Sequence, residues 1–496
     1  MNSQGDNSRL SQGELLLFQE LLLRRTGMHI TSRRSQEMGR HLWRVAAQEG
    51  MANLQVLYEK LDETRTESEL WDQVISGLTI GETYFFRDRA QFEALRFHLL
   101  PEIIKRRGGE RRLRLWSAGC ASGEEPYSLA MLLTDIIPDI DRWSISILGT
   151  DINKESLGRA RQARYKKWSF RQVGPDLVRR FFTQDEDRFE LHPRIKSMVS
   201  FNYLNLSEDN YPSLMTNTSA MDLILCRNVA IYLPDEQVQA MVRRFAGCLS
   251  QGGWLMVAAT ETDPRGFPGF VTRNMGPAAV YQLRGVDDEK PQSPWDLEAC
   301  RTPEEPEPVA PLFKAPPPRP AAPQAMRPPL VAGPDVLSQA RHMMETNRYQ
   351  SARCLLEQAT VRQRAAAGLW LKGARRLANL GKLAEARYWC EKSLEGEPLS
   401  AEAHHCRALI ALEDGEALLA GEHLRKALYL EPNHLAAHFS LATLYRRLGQ
   451  NQKAQVHGRQ AIRLASSLPP EQSVPEADGL AAGRIVTMLQ VLMDAA

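Results

Sequence analysis

The sequence predicts an α/β domain set between a helical N-terminal region and an all-helical repeat solenoid. Three observations carry this reading. Apolar strand-like runs alternate with helical periodicity between about residues 96 and 285. Small residues recur at a step of 34 positions beyond residue 380. A proline-rich stretch, residues 286–333, divides the two.

Residues 10–95 carry helical patterns and no convincing strand. The first apolar run, Leu15 to Leu23, is short and interrupted by Gln19 and Glu20, which fits a core helix and not a membrane span. Met1 to Arg9 lacks the basic cluster of a signal peptide, and no later run is long and apolar enough to cross a bilayer. A cytoplasmic chain without direct membrane insertion is expected. Within residues 96–285, Arg112 to Ala118 reads as a strand, followed by a glycine-containing turn and a helix from about Glu125. Ile145 to Thr150 is a second strand; it ends at Asp151 and leads into a helix from Asn153. Asp222–Cys226 and Trp254–Ala259 are further strands, separated by a helix over Asp235–Leu249.

The stretch from 286 to 333 contains Pro306-Glu307-Pro308, Pro316-Pro317-Pro318 and Pro328-Pro329, and reads as a semi-extended tether. Behind it, Gly381, Gly415 and Gly449 stand 34 residues apart, as do Ala386, Ala420 and Ala454, and Ser393, Ala427 and Ala461. Pro398 pairs with Pro432 at the same step. One period upstream, Asn347, Ala352 and Ala359 mark a degenerate repeat starting near Pro334. Residues 334–467 therefore resemble tetratricopeptide (TPR) repeats, with 468–496 as a C-terminal helix or tail. Stacked helix pairs present a concave surface, which implies a protein or peptide partner in the groove and no chemistry of their own.

Composition narrows the function classes. A formal net charge of +2 argues against a general nucleic-acid binder. The 7 cysteines are scattered, with no CxxC, and read as reduced thiols and not as a disulfide frame or zinc site. His434 and His438 have HxxxH spacing, but Leu435 stands where a zinc protease would carry glutamate, so packing is the expected role and no metal is.

The turn Leu115-Trp-Ser-Ala-Gly-Cys-Ala-Ser-Gly-Glu-Glu125 carries the first chemical signal. Glycines after a first strand let a ligand lie against backbone, as in nucleotide-binding α/β folds. There is no GxGxxG, and Glu124 and Glu125 sit where a pyrophosphate would need bare amides. Carboxylates suit a cationic ligand end. Asp151, closing the second strand, suits ribose hydroxyls. A ligand with ribose and ammonium but no phosphate points to S-adenosylmethionine over NAD.

Trp116-Ser-Ala-Gly-Cys-Ala-Ser-Gly-Glu-Glu-Pro-Tyr-Ser128 resembles the nucleotide motif of the CheR family of chemoreceptor glutamate methyltransferases. Three further blocks agree in order: Gly81-Glu-Thr-Tyr-Phe-Phe-Arg87, Asn205-Leu206, and Cys226-Arg-Asn-Val-Ala-Ile-Tyr232. The resemblance spans about residues 10 to 285. It implies a Rossmann-like class I methyltransferase sheet, S-adenosylmethionine as cofactor with S-adenosylhomocysteine as product, and a chemoreceptor's cytoplasmic domain as partner. It also implies cofactor contacts at Gly81, Thr83, Arg87, Glu125, Asp151, Asn205, Leu206, Arg227 and Asn228. Gly81 departs from the family's asparagine, so one side-chain contact is lost or taken over by backbone. Arg87 and Tyr232 are the expected catalytic pair, positioning the acceptor carboxylate through charge-assisted and phenolic hydrogen bonds. Tyr84, Phe85 and Tyr232 are candidates for cation–π contact with the sulfonium, although Phe85 and Phe86 read first as core. A catalytically weak scaffold and a methyltransferase for another acceptor are the alternatives.

The resemblance further implies a receptor-binding N-terminal domain. Arg24, Arg25, Arg33, Arg34, Arg40 and Arg44 would supply its basic face, or else a plain solvated surface. A small antiparallel subdomain is expected near 177–201, with strand patterns at Phe189-Glu-Leu-His-Pro and Ser197-Met-Val-Ser-Phe201. Family members that bind a receptor-tail pentapeptide carry a glycine-containing loop there; here Thr183-Gln-Asp-Glu-Asp-Arg188 has none, so that tether is not expected. Tyr165, Trp168, Ser169 and Arg171 resemble a family loop with a structural or lid role. Cys120 and Cys226, at strand ends, read as small apolar fillers.

Overall fold

The computed structural model describes residues 10–284 and 334–493, apart from 32–33, 65, 67, 80, 264–265, 276–277, 347 and 359–362. The expected tether at 286–333 lies outside the described residues, as do Arg33, Cys300, Asn347 and Ala359.

Four helices open the chain: α1 (Gln12–Thr26), α2 (Ser35–Gln48), α3 (Leu54–Glu63) and α4 (Glu69–Leu78). Ser11, Asn53 and Ser68 start three of them by accepting a first-turn backbone N–H. Their apolar faces close into a core of their own around Phe18, Leu42, Leu57 and Trp71. Fully buried Trp71 satisfies its indole N–H on the Leu61 carbonyl at 3.1 Å. Helix α5 (Arg89–Ala94), a π turn over Leu95–Leu99 and α6 (Leu100–Arg107) lead into the sheet.

The sheet domain follows as β1 (Arg112–Ala118), α7 (Glu124–Ile136), β2 (Ser144–Asp151) and α8 (Lys154–Gln162). Next come β3 (Arg164–Lys166), α9 (Pro175–Phe181), β4 (Phe182–Asp185), β5 (Arg188–Leu191) and α10 (Pro193–Lys196). It finishes with β6 (Val199–Tyr203), β7 (Met221–Cys226), α11 (Asp235–Cys248), β8 (Leu249–Val257), β9 (Phe270–Met275) and β10 (Ala278–Leu283). The main sheet has the order β6-β2-β1-β7-β8-β10-β9, with the first five strands parallel and the last two antiparallel. Strand order reverses beside β1, so a ligand crevice is expected outside the carboxyl ends there.

All four sequence-predicted strands are present. Strands β3, β5 and β4 form the small antiparallel sheet. The Ser197–Phe201 pattern, expected to join it, instead supplies β6, which pairs with β2 as the edge of the main sheet. Alternation of Val199, Phe201 and Tyr203 marks a strand with one apolar face but does not say which strand it pairs with.

The solenoid is built of helix pairs α12 (Pro334–Glu345) with α13 (Tyr349–Gln358), α14 (Gln363–Asn379) with α15 (Leu383–Gly396), α16 (Ala401–Glu413) with α17 (Ala417–Leu430), and α18 (Leu435–Arg447) with α19 (Asn451–Ser466). A two-residue hairpin, β11 (Ser473–Val474) and β12 (Leu480–Ala481), leads to α20 (Ala482–Met493). Gly381, Gly415 and Gly449 occupy the turns inside three successive pairs at φ +73°, +79° and +69°, which explains their 34-residue step: a side chain is strained in that conformation. Ala386, Ala420 and Ala454 are buried where paired helices touch.

The solenoid packs directly on the sheet domain. Leu214 and Met215, from the helix-free connection between β6 and β7, enter the solenoid's core. In return Val491 of α20 enters the core of the sheet. Arg112 and buried Arg114 on β1 both pair with Glu413 of α16, Arg112 at 3.0 Å. A cavity of about 690 Å³ remains between β6 and helices α16, α18 and α20. Among the described residues no helix is long and apolar enough to cross a membrane.

Candidate active site

The candidate site is set where β1, β2, β6 and β7 end, beside the reversal of strand order. Gly119 turns the chain out of β1 at φ +81°, and a Cβ there would stand 2.3 Å from the Val229 side chain. Glycine is what allows the Arg227–Val229 segment to close over the strand end. Gly119 and Cys120 both donate their N–H to the Thr150 carbonyl, at 2.7 and 2.9 Å. Asp151 is fixed by backbone donors, Ala121 and Asn153 each at 2.8 Å, together with Ile152. Burial pushes its carboxyl upward and these N–H groups oppose that. A carboxylate so held keeps acceptor capacity for a further donor.

Glu125 and Arg227 form a buried ion pair at 3.0 Å. The other Glu125 oxygen accepts the Ser117 hydroxyl at 2.6 Å, and Arg227 also donates to the Arg87 carbonyl at 2.5 Å. This pair joins the turn after β1, the segment after β7 and the loop ending at Arg87. Glu124 does not share the site with its neighbour. It is buried and accepts hydroxyls from Ser122 at 2.7 Å and Ser169 at 3.0 Å, with burial raising its pKa.

Along the Gly81–Arg87 loop, Gly81 is exposed, and a Cβ placed on it would meet nothing closer than the Ser156 hydroxyl at 3.8 Å. Thr83 is half-buried. Phe85 is fully buried among Tyr165, Phe170 and Phe182, at ring separations of 4.8, 5.0 and 5.1 Å, and is therefore core. The face of Tyr84 carries the Arg171 guanidinium at 3.6 Å, so Arg171 occupies a place considered for a sulfonium. Arg171 also pairs with Glu82 at 3.1 Å, and Tyr165 donates to the Ser122 carbonyl at 2.9 Å. The Tyr165–Arg171 segment thus buttresses both the Gly81–Arg87 loop and the turn after β1. Arg87 holds the Glu82 carbonyl at 2.8 Å.

Asn205 is buried, and its carboxamide is consumed by its own turn: it donates to Glu208 at 3.1 Å and accepts from the Ser207 hydroxyl at 2.8 Å. Leu206 is buried beside it, its carbonyl accepting from Tyr211 and Arg244, both at 2.7 Å. Asn228 sits at φ +60° and donates its N–H to Glu261 at 2.7 Å. Glu261 also accepts from Ile231 and Ala258, each at 3.2 Å. This carboxylate organises the whole Asn228–Tyr232 segment and was missed in the sequence; its signal was an acidic residue just past the end of β8. Tyr232 is half-buried. Burial raises its phenol most, Arg34 and Arg87 pull it down and Glu261 pushes it up, for a net rise that keeps it protonated as a donor. The N-terminal region meets this segment directly, the Tyr232 carbonyl accepting the His29 N–H at 2.7 Å.

Other expected residues lie elsewhere. Cys120 and Cys226 are buried with thiols pushed well up, as fillers. His434 caps α18 through Ala437 at 3.2 Å, whereas His438 faces His457 at 2.9 Å, so the HxxxH pair does not converge. On the N-terminal face Arg24 is paired with Asp62 at 2.6 Å and Arg34 with Glu37 at 3.3 Å, which removes part of its positive charge.

The donor set fits S-adenosylmethionine. Acidic Asp151 and Glu125 stand at these strand ends, and the Arg227 Nε is buried with no acceptor among the described residues. Residues 81–267 match the family model described as CheR methyltransferase, SAM binding domain, and residues 423–456 match that of a tetratricopeptide repeat. The chain is 33% identical over 251 residues to chemotaxis protein methyltransferase 1 of Pseudomonas aeruginosa, covering 49% of this chain and 88% of that relative. It is 34% identical over 193 residues to a probable chemotaxis protein methyltransferase of Rhizobium etli, covering 38% and 70%. It is 28% identical over 434 residues to the probable biofilm formation methyltransferase WspC of Pseudomonas putida, covering 86% and 93%.

Proposed function

The chain belongs to the CheR family of S-adenosylmethionine-dependent methyltransferases, and from that premise we propose that it esterifies glutamate side chains on the cytoplasmic part of a chemoreceptor, its solenoid serving partner recognition. Bound S-adenosylmethionine supplies an electrophilic methyl: the ester O–C bond forms as the C–S bond breaks, leaving S-adenosylhomocysteine. A glutamate carboxylate, with a pKa of about 4.3, is already ionised at neutral pH, so no proton has to move. What this site must contribute is alignment and exclusion of water.

The observation that carries the reading is the hold of Arg227 on both Glu125 and the Arg87 carbonyl, which brings the Arg87 loop against the segment that ends in Tyr232. The Arg87 guanidinium and the Tyr232 phenol suit an anionic acceptor oxygen. Asp151 and the Glu125–Arg227 pair stand behind them as the cofactor wall. The His29 N–H on the Tyr232 carbonyl ties the N-terminal region to this segment, so docking of a receptor helix there is linked to the placement of Tyr232.

The test is peptide mapping by mass spectrometry of a chemoreceptor cytoplasmic fragment incubated with the full chain and S-adenosylmethionine. Methyl esters confined to glutamates, lost with Arg87→Ala, support the reading. Methylation on other residue types, or none while the cofactor binds, would overturn it.

A further inference from the structure

Arg484 lies in the first turn of α20, in the solenoid, yet points at the sheet domain's cofactor end. It is almost fully buried. Its guanidinium reaches Glu208 at 3.0 Å and lies 4.5 Å from the ring centroid of Tyr203. Tyr203 is the last residue of β6, opposite Asp151 in the strand register, and the next residue, Leu204, donates its N–H to the Asp151 carbonyl at 3.1 Å. Glu208 receives the Asn205 carboxamide at 3.1 Å. One arginine therefore grips both ends of the Tyr203–Glu208 segment that carries Asn205 and Leu206.

A second anchor follows on the same connection. Asp478, just before α20, accepts the Ser213 hydroxyl at 3.0 Å and the Leu214 N–H at 3.2 Å. The β6–β7 connection has no helix of its own to hold it on the sheet. Helix α20 covers that place instead, with Val491 in the sheet's core. A guanidinium suits this role because it combines a carboxylate contact with a planar face laid on an aromatic ring.

We propose that Arg484 is a positioning residue for the cofactor site: through Glu208 it fixes the Asn205–Leu206 wall, so the solenoid sets affinity for S-adenosylmethionine. The proposal rests on the reading that Asn205 and Leu206 flank the adenine. Displacement of α20 by anything bound to the solenoid would be felt at the cofactor, in the range usual for coupling between two sites.

The experiment measures S-adenosylmethionine Kd by calorimetry, and KM and kcat for methyl transfer, on the full chain. Arg484→Met is expected to weaken Kd and raise KM about five- to tenfold with kcat nearly unchanged. Arg484→Lys should recover part of the loss, and Glu208→Gln should reproduce it without adding to it in the double variant. Asn205→Ala is the control for the underlying reading. If Asn205→Ala weakens the cofactor and neither Arg484→Met nor Glu208→Gln does, the positioning role is refuted while the adenine wall stands. If Asn205→Ala has no effect, the adenine reading fails and takes the proposal with it. Should Arg484→Met not fold, Glu208→Gln alone decides, since it leaves α20 intact. A fall in kcat and thermal stability with unchanged KM would mean that Arg484 is only packing.

Discussion

Replacing Arg227 by methionine tests the centre of the site. Arg227 and Glu125 are an ion pair at 3.0 Å with side chains only 2% and 14% exposed. Methionine keeps much of the volume and removes the charge, leaving Glu125 with the Ser117 hydroxyl alone and freeing the Arg87 carbonyl. Truncating one member of a buried pair costs about 3–5 kcal/mol, because the remaining charge stays desolvated. For a domain of this size each kcal/mol shifts Tm by about 2–4 °C, so a fall on the order of 10 °C is expected. The double variant Glu125→Gln, Arg227→Met removes the stranded charge and should regain a substantial part of that loss. Differential scanning calorimetry at neutral pH reads both. An Arg227→Met protein melting within about 2 °C of wild type would refute the reasoning, as would a double variant as unstable as the sum of its singles.

Gly81→Asn should strengthen S-adenosylmethionine binding about three- to tenfold, the worth of one added hydrogen bond, because a Cβ there meets nothing within 3.4 Å; calorimetry showing weaker binding would contradict it. Acid should weaken the solenoid. Burial holds His404, His405, His423, His434, His438 and His457 below the ordinary value, His423 at about 4, so the unfolded chain takes up protons first. Stability from these groups is complete above pH about 6.5 and is lost as pH falls below it, and a Tm that stays flat from pH 7 to 5 would count against this. The hairpin between β4 and β5 turns through Glu186 at φ +53° with no glycine, so a receptor-tail pentapeptide should show no heat of binding at micromolar concentration; a micromolar complex would reverse that expectation.

The sheet was legible because β1, β2 and β7 are short apolar runs closed by turn residues, and the solenoid because a 34-residue step forces glycine and alanine into fixed places. The positions of the candidate cofactor residues were legible only as far as the strand ends fix them. Asp151 and Glu125 follow β2 and the turn after β1 directly. Glu261 reaches Asn228 across 33 residues, and an acidic residue just past β8 does not say what it holds. Docking of the solenoid was hidden for the same reason. Arg112 and Arg114 look misplaced in a central strand until Glu413 is brought to them, and Glu413 lies 299 residues beyond Arg114. Likewise Leu214 and Met215 read as an ordinary loop, because their partners belong to another domain. Alternation marked Ser197–Phe201 as strand, but the sheet expected for it was the small one, whereas β6 pairs with β2 in the main sheet.

The most direct measurement follows tritiated methyl from S-adenosylmethionine into a chemoreceptor cytoplasmic fragment and then raises the pH. Carboxylate esterification predicts protein-bound label that is released as methanol under mild base, and that is lost when Tyr232 and Arg87 are both replaced. Label that resists base, or a fragment that stays unlabelled while the enzyme demonstrably binds the cofactor, would contradict it.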